Sequence, residues 1–240
     1  MILERDKDPM GAAIADYYRQ GKAARLRVFS SQFEEDELPV RQLFRRLPQM
    51  PVLEQKALQL AEGYILDVGA GSGCHSLELQ QMGKQVTAID ISPLAVDVML
   101  RRGVHDAQAV DLFDEQFTGR FDTLLLLMNG SGIIGRLQRL PLFFTRVHHL
   151  LNQGGKILMD SSDLRYLYEE EDGSLTLNLA GDYYGEVDFR MQYKQIRGDT
   201  FDWLYIDFQT LSLYATQCGF RARKLHEGIH YDYLAELTLA

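Results

Sequence analysis

Cysteine, tryptophan and proline are scarce in this 240-residue sequence, which contains two, one and six of them respectively. Cys74 and Cys218 lie far apart, so they give neither a disulfide framework nor the ligand spacing of a metal site, as is typical of a reducing compartment. No uninterrupted apolar run approaches the roughly 18 residues of a membrane-spanning helix, and residues 1–10 lack the basic start and apolar core of a signal peptide. We therefore expect a cytoplasmic protein with no metal and no membrane association.

Basic residues are also in deficit, with 25 Lys and Arg against 34 Asp and Glu and a net charge of −9. Such a molecule repels a phosphate backbone, so we do not expect a nucleic-acid substrate. The basic residues of the N-terminal part lie between Arg19 and Arg46, at a spacing typical of solvated helix faces. The alternative is a basic lip over a ligand site, which would favour an anionic small molecule.

Apolar residues are plentiful, at 46% of the chain, which is enough for the core of one α/β domain with additions. The most informative pattern begins at Tyr64–Val68, a short apolar run that fits a strand buried in a parallel sheet. Gly69, Gly71 and Gly73 follow it, and glycine permits positive φ and a close approach of the backbone to a ligand. A helix follows the glycines, and a second apolar run ends at Asp90. The predicted order is therefore strand, glycine loop, helix and strand.

Asp90 is placed to accept hydrogen bonds from ribose hydroxyls, because an acid at the end of the second strand, about 20 residues after the glycine turn, does so in nucleotide-binding folds. The glycine spacing is G-x-G-x-G, whereas the G-x-G-x-x-G of nicotinamide enzymes would require glycine at Cys74. Asp67 suits an ammonium group and is disfavoured beside a pyrophosphate. The expected cofactor is therefore cationic and carries no phosphate.

The run Ile65–Gly73, ILDVGAGSG, resembles motif I of the class I S-adenosylmethionine-dependent methyltransferases, in which an acid and one other residue precede G-x-G-x-G. The resemblance extends over about residues 64–160 and comprises five elements in the family's order. The further matching segments are Asp90-Ile91, Asp111-Leu112, Phe121–Met128 and Leu150–Asp160.

This resemblance implies a doubly wound, seven-stranded α/β sheet, S-adenosylmethionine as the cofactor, and a cap of N-terminal helices over the site. In the family the acid at Asp90 binds the ribose, the apolar residue at Ile91 packs on the adenine, and the acid at Asp111 meets the adenine amino group. For Tyr17 and Tyr18 in the cap, the alternative to cofactor contact is half-buried packing. The expected cofactor-binding residues are Asp67, Gly69, Ala70, Gly71, Gly73, Asp90, Ile91, Asp111, Leu112, Asn129, Tyr17 and Tyr18.

The chain divides into three parts in this interpretation. Residues 1–50 form the helical cap, with a helix from Pro9 to about Lys22 and another near Pro39. Residues 51–162 and 209–240 form the cofactor-binding domain. Residues 163–208 are an antiparallel β insertion that walls a substrate pocket or joins two subunits in a homodimer. Its expected strands are Ser174–Leu179, Gly185–Tyr193 and Phe201–Phe208.

No residue stands out as catalytic, because a sulfonium is an activated methyl donor and a base is needed only where the acceptor still carries its proton. The side chains of Cys74 and His75 diverge on a helix and are not expected to form a nucleophile pair. The candidates for a base are Asp160, Asp163, Tyr166, His226 and His230.

We expect direct methyl transfer to a small molecule, whose nucleophilic atom the sequence leaves open. The N/D-P-P-Y/F signature of enzymes that methylate amide or exocyclic amino nitrogens is missing after Met128, which argues against DNA adenine and glutamine methylation. A non-catalytic sensor or partner subunit that binds S-adenosylmethionine is the first alternative. An NAD-dependent oxidoreductase is the second and is less favoured.

Overall fold

The computed structural model describes residues 1–169 and 182–240 and shows helices packed on both faces of a central sheet. None of the helices in these ranges combines the length and the apolar character needed to cross a bilayer. The helices are α1 Pro9–Gln20, α2 Val52–Leu60, α3 Cys74–Gln81, α4 Pro93–Arg102, α5 Leu140–Leu150 and α6 Phe208–Gln217. The strands are β1 Leu26–Phe29, β2 Asp36–Glu37, β3 Tyr64–Val68, β4 Gln85–Asp90, β5 Ala107–Ala109, β6 Phe121–Leu126, β7 Leu151–Ser162, β8 Glu186–Tyr193, β9 Ile196–Arg197, β10 Phe201–Leu204, β11 Phe220–Glu227 and β12 Asp232–Leu239.

The central sheet has the strand order β11-β12-β7-β6-β3-β4-β5. Strands β3 to β7 pair in parallel, whereas β12 is antiparallel to both of its neighbours. This is the doubly wound, seven-stranded sheet expected from the sequence. The chain order reverses between β3 and β6, and in such sheets the reversal opens a crevice at the carboxyl ends of the strands.

The two faces of this sheet bury different apolar sets, because alternate residues of a strand point to opposite sides. On one face Ile65 of β3 packs in a cluster with Leu58 of α2. On the other face Leu66 of β3 and Leu124 of β6 pack with Phe143 of α5. Strand β3 is therefore covered on both sides, which holds the loop at its carboxyl end in a fixed place.

A second, antiparallel sheet joins the N-terminal region to residues 186–204, with the order β10-β8-β1-β2 and β9 paired to β8. Leu26 of β1 lies opposite Tyr193 of β8, and Phe29 lies opposite Arg190. The N-terminal region thus contributes strands as well as helices, and the sequence reasoning placed no strand there. The expected strand Ser174–Leu179 lies outside the described residues.

Two expected elements differ in extent from those observed. The helix expected near Pro39 is a single 3-10 turn, Val40–Phe44, because the chain becomes extended again at Arg45. The strand expected to reach Phe208 ends at Leu204, since the Asp207 side chain accepts hydrogen bonds from two backbone amides of the first turn of α6 and caps that helix.

Helix α1 begins where the sequence predicts, at Pro9 behind an aspartate cap. The Asp8 carboxylate accepts a hydrogen bond from the Gly11 N–H at 2.7 Å and another from the Ser92 hydroxyl, which itself caps α4. Ile14 of α1 packs on Val98 of α4. The cap is thereby fastened to the helix that follows Asp90.

Candidate active site

The glycine loop between β3 and α3 is held in left-handed backbone conformation, with φ of 69° at Gly69, 57° at Gly71 and 79° at Gly73. The N–H groups of Gly69 and Ala70 both donate to the Ile89 carbonyl, at 2.9 and 3.0 Å, which ties the loop to β4. A Cβ added at Gly71 would have no neighbour within 4 Å, whereas one added at Gly73 would lie 2.9 Å from side-chain carbons of the core. Gly71 therefore borders open space where a ligand can approach, and Gly73 serves close packing.

Asp90 ends β4 directly beside this loop. Its Oδ2 accepts the Gly71 N–H and its Oδ1 accepts the Ser92 N–H, each at 2.8 Å. Burial raises the pKa of the carboxyl to about 6, and the two amide hydrogen bonds oppose that rise. Each carboxylate oxygen keeps a further lone pair, so the pair can accept two hydroxyl donors such as those of a ribose.

Asp67 lies at the mouth of β3 and is 2% exposed. Its Oδ2 accepts the Ser76 hydroxyl at 2.5 Å. Burial raises the pKa of this carboxyl above its usual value, although the charge of His75 opposes the rise. A cation bound beside Asp67 would favour the ionised form, so the position suits an ammonium group.

A buried ion cluster supports the first turn of α3. His75 Nε2 lies 2.8 Å from Glu54 Oε2, and Arg45 Nη2 contacts both Glu54 oxygens, at 2.8 and 3.0 Å. Burial lowers the pKa of His75, but the hydrogen bond to Glu54 and the charge of Asp67 outweigh it, so the pKa is raised. Arg45 Nε is the one buried side-chain nitrogen or oxygen in the described ranges with no hydrogen-bond partner. It is a donor suited to a carboxylate.

The other end of the crevice offers an apolar surface and an acid. Ile91 is 40% exposed next to Asp90. The Asp111 carboxylate accepts the Phe113 N–H at 2.9 Å and pairs with the Met1 ammonium, so the chain terminus reaches this end of the crevice. Leu112 is buried in the core cluster of the sheet. Contacts of Ile91, Asp111 and Leu112 with the adenine stay predictions.

The carboxyl end of β6 carries two consecutive left-handed residues that are not glycine, Met128 with φ 68° and Asn129 with φ 57°. Asp160 of β7 stabilises this bend, because its carboxylate accepts the Asn129 N–H at 3.0 Å and the Gly130 N–H at 2.9 Å. The Ser162 hydroxyl donates to Asn129 Oδ1 at 2.8 Å. Burial raises the pKa of Asp160 to about 6. Strain of this kind is concentrated at functional sites.

Comparison with known proteins agrees with this geometry. Residues 65–155 match the sequence profile of a family described as a methyltransferase domain. A crystal structure of an S-adenosylmethionine-dependent methyltransferase from Bacteroides fragilis, in complex with S-adenosyl-L-homocysteine, is 67% identical in sequence and has a TM-score of 0.95. That match covers 100% of this chain and 98% of the other. The chain belongs to the S-adenosylmethionine-dependent methyltransferases.

More distant relatives share only parts of the sequence. The ubiquinone biosynthesis O-methyltransferase of Xanthomonas oryzae pv. oryzae is 32% identical over 115 residues, which are 43% of this chain and 45% of that protein. The chain thus matches less than half the length of such curated relatives. The CcbJ methyltransferase of Streptomyces caelestis is 12% identical with a TM-score of 0.62, over 99% of this chain and 100% of that one, which shows a shared fold.

The residues of this methyltransferase fit S-adenosylmethionine as the cofactor. Asp67 would hold the ammonium of its methionine part, and the unpartnered Nε of Arg45 suits the carboxylate. Asp90 would accept the ribose hydroxyls, and Ile91 would contact the adenine. No motif in the sequence identifies Arg45 as a cofactor-binding residue, because only the fold brings the segment after Phe44 against α3.

The cap tyrosines of the methyltransferase have structural contacts of their own. The Tyr17 ring packs on Phe44 with centroids 4.6 Å apart. The Tyr18 hydroxyl donates to the Arg101 carbonyl at 3.1 Å, at the end of α4. Both contacts agree with the packing alternative, and a cofactor contact from either tyrosine stays a prediction.

The basic residues of the N-terminal part are mostly paired with acids. Arg25 contacts Glu37, and Arg27 contacts Glu35 through two nitrogens, each at 2.6 Å. Arg46 pairs with Glu78. These pairs argue against a free basic lip. The predicted helix faces are wrong for these three arginines, because Arg27 lies on β1 and Arg25 and Arg46 lie in loops.

The catalytic candidates are scattered around the carboxyl edge of the sheet. The Asp163 carboxylate accepts the Arg165 N–H and the Tyr184 hydroxyl, at 2.9 and 2.8 Å. Tyr166 is 44% exposed and stacks on Tyr231, with centroids 5.3 Å apart.

The two histidine candidates lie on the last hairpin. His226 lies in β11 opposite Leu234, and His230 is exposed in the turn before β12. Within the described residues, no hydrogen bond joins either histidine to the glycine loop. A role as base stays a prediction for both. Cys74 is buried, and burial raises the pKa of its thiol to about 12, which agrees with the prediction that Cys74 and His75 do not form a nucleophile pair.

Proposed function

We propose that the protein transfers the methyl group of S-adenosylmethionine to a small-molecule acceptor. The observation that carries this proposal is the Asp90 carboxylate, which is hydrogen-bonded to Gly71 and Ser92 at the mouth of a left-handed glycine loop. The relative that is 67% identical, and was crystallised with S-adenosyl-L-homocysteine, supports the same cofactor. Bound S-adenosylmethionine supplies an activated methyl group.

The chain's own residues then have to bind the cofactor and the acceptor, orient them towards each other and exclude water. Asp67 and Arg45 would hold the methionine part of the cofactor, and Asp90 would hold its ribose, in the crevice at the carboxyl ends of the strands. The bend at Met128 and Asn129, stabilised by Asp160, shapes the place where the acceptor enters. Orientation of this kind can supply much of the acceleration of a transfer from an activated donor.

In this proposal the second sheet and α1 form the outer wall of the acceptor entrance beside the bend at Met128 and Asn129. Ser131, just after Asn129, donates its hydroxyl to the Leu204 carbonyl of β10 at 2.8 Å. This contact ties the insertion to the loop after β6. This contact supports the proposal that residues 163–208 wall the acceptor, and a homodimer contact through the same insertion is also a proposal.

A titration tests the cofactor assignment. S-adenosylmethionine, S-adenosylhomocysteine and NAD are titrated by calorimetry into the protein and into Asp90→Asn and Asp97→Asn. Asp97 is a matched control, because it pairs with Arg101 on the surface of α4. We expect micromolar binding of the first two ligands only, weakened about 10- to 100-fold by Asp90→Asn through loss of charged hydrogen bonds.

The outcomes separate the alternatives. Binding of NAD alone would favour an oxidoreductase. Binding of S-adenosylmethionine without release of S-adenosylhomocysteine in a broad acceptor screen would favour a sensor or partner subunit. Unchanged affinity in Asp90→Asn would contradict the assignment of the ribose site.

We also propose a cytoplasmic location and a small-molecule acceptor in place of a nucleic acid. The net charge of −9 and the two distant cysteines support these proposals. Electrophoretic mobility shift with duplex DNA and with RNA at low salt checks the second one, and we expect no shift.

A further inference from the structure

Four half-buried aromatic side chains share one face of the second sheet. Phe201 and Trp203 are two residues apart on β10 and point to the same face, and Tyr205 lies two residues further along the chain. Phe189 of β8 lies opposite Phe201. The ring centroids are 6.0 Å apart for Phe201 and Trp203, 6.3 Å for Phe189 and Phe201, and 6.4 Å for Phe189 and Tyr205. We call Phe189, Phe201, Trp203 and Tyr205 the aromatic wall.

The aromatic wall borders the loop that follows β6. The Trp203 indole lies directly on Gly132, where a Cβ would fall within about 2 Å of the ring (1.8 Å from Cε2). Tyr205 lies near enough to Asp160 and Tyr166 for their charges to add to the effect of burial, which raises the pKa of its hydroxyl to about 12. The wall therefore lies beside the loop that continues from the bend at Asn129.

The basic side chains of this region are already paired with acids. Arg136 contacts Asp202 through two nitrogens, at 2.8 and 2.9 Å, and contacts Glu186 at 3.3 Å. Both acids alternate along their strands with the wall residues, so this pairing lies on the face of the sheet opposite the wall. Arg165 is held by Asp163. An anionic acceptor would have to compete with these carboxylates, whereas aromatic faces and neighbouring acids favour a group that becomes positive.

The acids nearest the wall are occupied as hydrogen-bond acceptors. Asp160 holds the N–H groups of Asn129 and Gly130, and Asp163 holds Arg165 and the Tyr184 hydroxyl. A hydroxyl acceptor must lose its proton to a base before or during transfer. An alkyl amine is an ammonium ion at neutral pH, but it can release that proton to water before it reacts. Its lone pair is then free without a base from the protein.

We propose that the acceptor is a neutral amine carried on an aromatic or similarly apolar molecule, whose apolar part packs on the aromatic wall. This inference rests on the proposed function. The nitrogen lone pair forms the new N–CH₃ bond while the S–CH₃ bond breaks, so the positive charge moves from sulfur to nitrogen. The methylated nitrogen then releases a proton to water. The ring faces and the carboxylate of Asp160, which lies near Tyr205, stabilise the charge that nitrogen gains.

Trp203 is the single tryptophan of the chain and reports directly on this place. Protein saturated with S-adenosylhomocysteine is titrated with 2-phenylethylamine, 2-phenylethanol and 3-phenylpropionate, and the fluorescence of Trp203 is measured. We expect saturable quenching by the amine, with a Kd at least about tenfold below that of the carboxylate. Equal or tighter binding of the carboxylate, or no saturable quenching by any of the three, would overturn the proposal.

Two variants distinguish the wall from the opposite face of the same sheet. Phe189→Leu should raise the Kd of 2-phenylethylamine about three- to tenfold while the affinity for S-adenosylhomocysteine stays unchanged, which also verifies folding. Phe29→Leu is the control, because Phe29 lies opposite Arg190 on the other face, between the guanidinium groups of Arg27 and Arg190. An equal effect of both variants would contradict the assignment.

Tyramine, which carries both an amine and a phenol, tests the chemistry. The protein is incubated with tyramine and S-adenosylmethionine, and the methylated atom is located by fragment mass spectrometry. Methyl on nitrogen supports the proposal. Methyl on the phenol oxygen would overturn it and leave methyl transfer itself intact, whereas failure to bind S-adenosylmethionine in the calorimetric titration would instead remove the proposed function.

Discussion

At the scale of single residues, burial raises the pKa of both acids of the crevice, Asp67 and Asp90. Asp90 has only two amide hydrogen bonds to offset its burial, and Asp67 has chiefly the Ser76 hydroxyl and the charge of His75. Ligand groups that donate hydrogen bonds or carry positive charge would complete both sites. The acids are therefore poised for a cationic nucleoside, which agrees with the expectation drawn from the glycine spacing.

The raised pKa of Asp90 predicts a pH dependence of binding. Ribose hydroxyls donate to the ionised carboxylate, so the affinity for S-adenosylhomocysteine should be full above pH 6 and fall by up to about tenfold per pH unit below it. Calorimetry across this range checks the slope. Asp90→Asn should flatten it, and an unchanged slope in that variant would assign the effect to another group.

The raised pKa of Asp90 also affects the stability of the ligand-free protein, with a pH dependence opposite to that of binding. Because the folded pKa of about 6 exceeds the usual 3.8, the folded state binds more protons than the unfolded state between these values. The contribution of Asp90 is thus fully present below the lower value and is lost as the pH rises through the higher one.

The glycine loop allows a comparison of two alanine substitutions. Gly71→Ala should cost about 1–2 kcal/mol of folding free energy from left-handed strain and should also weaken S-adenosylhomocysteine binding. Gly73→Ala should destabilise the protein more, because its Cβ meets Met99 and Val104 at 2.9 Å. Urea unfolding and calorimetry measure the two quantities. Full affinity in Gly71→Ala would mean that the loop does not approach the ligand.

At the scale of elements, β7 determines the shape of the carboxyl end of β6. Asp160 accepts two amides of the bend, and its replacement by asparagine turns one acceptor into a donor that faces a donor. Asp160→Asn should cost about 1–3 kcal/mol of folding free energy and should lower methyl transfer. Urea unfolding and S-adenosylhomocysteine release measure these effects.

Asp122 provides the matched control for this prediction. It lies near the other end of β6 and accepts the Tyr64 N–H at 2.7 Å and the Asn152 amide at 2.8 Å. Asp122→Asn should destabilise the protein to a similar degree without a specific loss of turnover. Equal losses of turnover in the two variants would contradict a positioning role for Asp160.

At the scale of the whole molecule, the N-terminal region and the insertion form one structural unit. The Ala24 N–H and the Tyr193 hydroxyl are hydrogen-bonded at 3.2 Å although they are 169 residues apart in the sequence. Asp16 of α1 accepts the same hydroxyl at 2.9 Å and pairs with Lys194. The cap is therefore held from two sides, by α4 and by β8.

Removal of residues 1–50 should make the protein aggregate. Strand β8 would lose β1 and expose an unpaired edge, and α4 would lose the apolar cover of Ile14. Removal of residues 1–4 alone should leave a folded monomer or dimer, since α1 and β1 remain. Size-exclusion chromatography and the soluble yield distinguish these results, and a soluble, well-folded product from the long truncation would contradict the prediction.

Local pattern was sufficient for much of the fold. The expected order of β3, glycine loop, α3 and β4 is observed, with β3 at Tyr64–Val68 and β4 ending at Asp90 as predicted. Alternating or continuous apolar runs, caps and glycine stops are local features, so one segment suffices to recognise each. The sequence did not predict the strands of the N-terminal region, because β1 and β2 are short and depend on pairing with the distant strand β8.

The sequence by itself determined the α/β class, the glycine loop and the acid that ends β4, because strand, turn and helix signals lie within a few residues of one another. Only the tertiary structure decided which distant groups meet: Arg45 with Glu54, Asp160 with the bend at Asn129, and Trp203 with Gly132. These contacts join separate elements across the sheet edge. Their partners follow from packing and strand order, which no single segment of the chain encodes.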